Sequence, residues 1–153
     1  MKRLLLAATV MSAASATNAQ DSFGPSDLGL SPDAIRSIQV RLADNATGAC
    51  WTNLQEVREY AEEKLRIGNY NVVDNLELAK VPDFWFWIGV GAQRDQSDAC
   101  DGTITVSVQS MAPVDAFYGR LVLVPEVAVY ISGAGENLNR RVLEAVQEMT
   151  DQM

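Results

Sequence analysis

DFWFWIGVGAQ, residues 83–93, places Phe84, Phe86, Ile88 and Val90 on one side of an extended chain and Trp85, Trp87, Gly89 and Gly91 on the other. The period of two predicts a strand, with aromatic bulk on both faces. Downstream, Asp101-Gly102 is a turn signal ahead of Thr103–Gln109. Here Ile104, Val106 and Val108 face one way, and Thr103, Thr105, Ser107 and Gln109 face the other, which predicts a strand with one wet face. A last strand is expected over Leu121–Ser132. Pro125 makes it an edge strand or breaks it, because proline cannot donate to a ladder.

Upstream, Ser37–Leu42 alternates Ile38, Val40 and Leu42 with Gln39 and Arg41, the pattern of a half-buried strand. After a turn through Asp44–Gly48, Thr52 and Gln55 have the spacing of a capping box. Leu54, Val57, Ala61 and Leu65 then form a helical stripe, with Glu56 and Glu59 early and Lys64 and Arg66 late, as the helix dipole prefers. Gly68 is expected to supply the left-handed position that ends this helix, and Tyr70–Asp74 to be a short second strand parallel to the first. Asn137 is a candidate cap for a closing helix with the stripe Leu138, Val142, Ala145, Val146 and Met149. The expected architecture is α+β, with two helices packed on one face of a four- or five-stranded mixed sheet in the order β-α-β-β-β-β-α.

The chain opens with Lys2 and Arg3, an apolar run from Leu4 to Val10 about half the ~20 residues of a membrane span, and a tail of small residues to Ala19. Residues 1–19 therefore read as a bacterial signal peptide cleaved before Gln20, with no lipid-anchor cysteine after it. Residues 20–34, punctuated by Gly24, Pro25, Gly29 and Pro32, read as a flexible amino-terminal arm, and 35–153 as a single domain. The expected location is the periplasm or the exterior, with no later transmembrane segment.

Exactly two cysteines, Cys50 and Cys100, in an oxidising compartment imply one disulfide. Closing a loop of this length restricts the unfolded chain by about 4 kcal/mol in the loop-entropy model. The alternative is a redox thiol at Cys50, just ahead of a helix start, but no C-x-x-C pair supports it. The disulfide conflicts with a plain meander, because successive hairpins would start Cys100 at the opposite end of the sheet from Cys50. A connection that crosses back through 75–82 or 94–100 would reconcile them.

Losing Lys2 and Arg3 leaves ten basic against twenty acidic residues, a net charge of −10, which repels nucleic-acid backbones and anionic membranes. The chain has no histidine, which removes the commonest general base, Ser-His-Asp and Cys-His nucleophile pairs and ordinary zinc sites. Glu126, beside Pro125 and Val127, is the one carboxylate in an apolar context, and its simplest reading is the solvent face of an edge strand. Asp95, Asp98 and Asp101 recur at three-residue spacing but lack the order of a calcium loop, so a solvated acidic turn is expected. No catalytic residue, metal or cofactor is expected.

Trp85 and Trp87 are the candidate partner-binding residues. An exposed pair can stack on sugar rings or accept an apolar peptide, with Gly89 and Gly91 leaving a shallow groove beside them. The competing reading is structural packing of both aromatic faces. In element order alone, the chain resembles the small periplasmic assembly-factor domains of outer-membrane machinery. That likeness implies no site residues. The expected function is a non-catalytic binding module that contacts another envelope protein or peptide; the alternative is a glycan or small-ligand binder using the tryptophan face.

Overall fold

The computed structural model describes residues 30–74, 83–114, 117–134 and 137–153. Its elements are β1 (Ser37–Asp44), α1 (Leu54–Ile67), β2 (Asp83–Arg94), β3 (Cys100–Val114), β4 (Phe117–Ala134) and α2 (Asn139–Asp151). The strands form one mixed sheet in the order β1-β2-β3-β4, with β1 parallel to β2 and the other pairs antiparallel. Both helices cover one face, α1 over β1 and α2 over β3 and β4. This is the expected α+β architecture with four strands. The signal peptide and the arm as far as Gly29 lie outside the described residues. From Leu30 the chain is docked, with Leu30 and Ile35 buried in the core.

Tyr70–Asp74 contributes a single parallel bridge between Ile38 and Val72, not a full strand. Ile38 N donates to Asn71 O (3.0 Å), and Val73 N donates to Ile38 O (2.9 Å). The next carbonyl on that edge, Val40 O, accepts from Arg58 Nη1 of α1 (3.2 Å).

Ile38 also pairs with Phe84 on its other side, so the chain passes from one flank of β1 to the other between Asp74 and Asp83 while both segments run parallel to β1. Residues 75–82 lie outside the described residues. The parallel pairing of β1 and β2 puts their ends on the same side of the sheet, and Cys100 at the start of β3 therefore meets Cys50. Their disulfide is buried, with Cα atoms 5.6 Å apart.

The helix stripes are the buried ones: Val57, Ala61 and Leu65 on α1, and Val142, Ala145, Val146 and Met149 on α2, with Leu138 just ahead. They pack against Ile38 and Val40 of β1, Phe84, Phe86, Ile88 and Val90 of β2, and Ile104, Val106 and Val108 of β3.

The helix ends differ in detail from expectation. Thr52 and Gln55 form no capping box; Thr52 N instead donates to Asn139 Oδ1 (3.0 Å), and Asn139 Nδ2 donates to Thr52 Oγ1 (2.8 Å), tying together the starts of both helices. The left-handed residue after α1 is Asn69 (φ 65°), not Gly68, and Tyr70 N donates to Leu65 O (2.9 Å) across the cap. A Cβ at Gly68 would lie 3.2 Å from the Tyr70 ring, a tight contact that the ring would have to relieve by a small shift. Asn137 Oδ1 accepts from Asn139 N (3.2 Å), a side-chain cap one residue ahead of the helix boundary.

Pro125 sits on an edge strand, as its missing N–H requires. The β3 to β4 register jumps from Val108 opposite Leu123 to Ser107 opposite Glu126, which leaves Val124 and Pro125 without partners. The hairpin is longer than the sequence pattern indicated. Its strands continue through Val114 and Phe117, a stretch whose Pro113 and Gly119 carry no strand signal.

Candidate functional site on the sheet face opposite the helices

Strand register sets the second face out in rows. Gln39, Trp85 and Gln109 lie side by side, followed by Arg41, Trp87, Ser107 and Glu126, then Ala43, Gly89, Thr105 and Ala128, and last Gly91, Thr103 and Tyr130. Burial falls along these rows. Gln39, Ser107 and Gln109 are buried at one end, whereas Gly91, Thr103 and Tyr130 are exposed at the other, Tyr130 to 75%.

Trp85 and Trp87 share this face but not an environment, although both are half-buried. The Arg41 guanidinium lies 5.7 Å from the centre of the Trp85 ring and is held there by donating from Nε to Gln39 Oε1 (2.8 Å). Gln39 Nε2 in turn donates to Asp74 O. Trp85 Nε1 is buried and has no hydrogen-bond partner among the described residues. Trp87 lies along β2, with its indole nitrogen 3.0 Å from where a Cβ on Gly89 would sit. It forms one wall of a groove of about 370 Å³ that also takes in Gly91, Thr103, Thr105, Gln109 and Glu126. A second hollow, about 420 Å³, continues past Gly91 and Asn45 to Tyr130. The groove expected beside the glycines is therefore present, and Trp87 alone of the tryptophan pair lines it.

The larger hollow of about 640 Å³ lies elsewhere, on the outer side of the helix pair. Three of its polar groups are linked in a chain: Tyr60 donates its hydroxyl to Gln147 Oε1 (2.5 Å), and Gln147 Nε2 donates to Asp151 Oδ1 (2.5 Å). The sheet groove is different. Gln109 donates Nε2 to Ser107 Oγ (2.7 Å), but its buried Oε1 accepts from nothing among the described residues.

In the acidic turn, Asp95 directs its carboxylate at the turn's own backbone and at Ser97. Asp95 accepts from Ser97 Oγ (2.7 Å), Ser97 N (2.8 Å) and Ala99 N (3.0 Å), and the Ser97 hydroxyl, followed by the Ala99 amide, holds its carboxyl below the ordinary aspartate range. Asp98 is engaged by Arg94, whose Nη1 donates to its backbone oxygen (2.7 Å) and to Oδ1 (3.3 Å). Among the described residues, no group of three His, Cys, Asp or Glu side chains is placed to hold a metal. Glu126 is exposed on the edge strand, at the margin of the sheet groove.

Sequence alternation put Ser107 and Gln109 on the wet face of their strand, but the structure buries both, because neighbouring side chains on the sheet cover that end of the face. Their importance depends on pairing between strands, which brings them beside Trp87 and Trp85. No protein-family model, curated protein or solved structure matches the chain, so the functional reading rests on this face.

Proposed function

We propose that the chain is a non-catalytic binding module of the bacterial periplasm or exterior, which uses the open end of its sheet face to contact another envelope protein. The observation that carries this reading is the grooved aromatic surface running from Trp87 past Gly91 to the exposed Tyr130. Such a surface offers contact area at low entropic cost, and aromatic residues are enriched at the centres of interfaces. A buried disulfide and a signal-like amino terminus support an oxidising location, and no described helix is long and apolar enough to cross a membrane. The lack of histidine throughout the sequence supports binding over hydrolysis.

Affinity capture from an envelope extract tests the reading. The unaltered chain is expected to retain a defined partner that a Trp87→Ala, Tyr130→Ala variant loses while still folded. Equal retention by both proteins would move the contact off this face.

A further inference from the structure

Of the two glycines on the bare face of β2, Gly91 is the open one, since a Cβ built there meets no atom within 4 Å. The strip it occupies has the Trp87 indole for one wall and the hydroxyls of Thr103, Thr105 and Ser107 along the other. Gln109, 2% exposed, lines the buried end of the same groove and keeps an amide oxygen with no partner. The open hydroxyls of the groove, those of Thr103 and Thr105, can each donate one proton and accept on their lone pairs. The groove volume, about 370 Å³, lies within the usual range of small-molecule sites.

We propose that this groove binds one ring of a neutral carbohydrate, its apolar face against the Trp87 indole and its hydroxyls toward those of Thr103 and Thr105. A purely apolar ligand would leave the Thr103 and Thr105 hydroxyls without a partner in the ligand. An anionic sugar would meet Glu126 and a strongly acidic chain. The inference goes beyond the protein-partner reading and does not depend on it.

The test is titration of the full chain, followed by tryptophan fluorescence and calorimetry, with a trisaccharide of glucose units, a trisaccharide of N-acetylglucosamine units, and glucuronic acid. Saturable binding of at least one neutral sugar is expected, with a Kd of about 1 mM or tighter. Gly91→Val fills the groove where the fold has room and places a β-branched residue in a strand. It should keep the melting temperature and weaken binding by about tenfold or more. Absence of saturable binding by either neutral sugar, tighter binding of glucuronic acid, or binding indifferent to Gly91→Val would each overturn the proposal. Partner capture is read independently, so failure here leaves that assay unaffected.

Discussion

On the helix side of β2, Phe84, Phe86, Ile88 and Val90 are buried beneath α1 and α2, whereas one residue along, Trp85, Trp87, Gly89 and Gly91 face no described helix. Both sets come from the same run of alternating residues. The helix side is filled by interlocking aliphatic and phenyl groups with no polar atom to satisfy. The other side mixes indoles with glycine, hydroxyl and amide groups, and keeps two buried polar atoms unpartnered. Close packing exhausts the first surface. The second has unused hydrogen-bonding capacity and open volume, which are the requirements of recognition.

The largest effect that would test this contrast is at Phe86, which has no exposed surface. Phe86→Ala should lower stability by about 3 to 5 kcal/mol, and Trp87→Ala by distinctly less despite the larger side chain removed. Urea denaturation of the two variants decides it, and an equal loss would return Trp87 to the core.

Next is the disulfide, which fastens the segment before α1 to the start of β3 and so holds the helix layer on the sheet. Replacing Cys50 and Cys100 with serine should cost about 2 to 4 kcal/mol. Thermal melts of both forms measure this, and an unchanged melting temperature would show that packing alone holds the layer.

The smallest expected change is at Trp85, where Trp85→Phe removes both some apolar contact and the orphaned N–H. A buried unpaired donor costs roughly 1 to 3 kcal/mol, so the two terms offset and the net change should stay within about 1 kcal/mol. A loss well beyond that in denaturant titrations would mean that the indole nitrogen has a partner.

Much of the covered side was legible in the chain. The helix stripes from Val57 to Leu65 and from Val142 to Met149, and the apolar face of β2, are periodic signals that burial obeys directly. The second strand was over-read at Tyr70–Asp74, which makes a single bridge, because local pattern does not show how far a segment will pair along the edge of β1. The capping box was over-read for a similar reason: Thr52 has a distant competitor in Asn139, 87 residues along the chain.

By itself the sequence determined the fold class, the pairing of its two cysteines and the division of each strand into two faces, and it limited Pro125 to an edge strand or a break. These follow from side-chain periodicity, residue count and the missing proline N–H, all of which are local properties. Only the tertiary structure decided that β2 runs beside β1 in parallel, which brings Cys100 back to Cys50, and that Trp85 is capped by Arg41 while Trp87 walls a groove. Register and chain crossing are long-range choices, fixed by which rows of side chains can be buried together, and a pattern of period two is the same for every register that preserves the face.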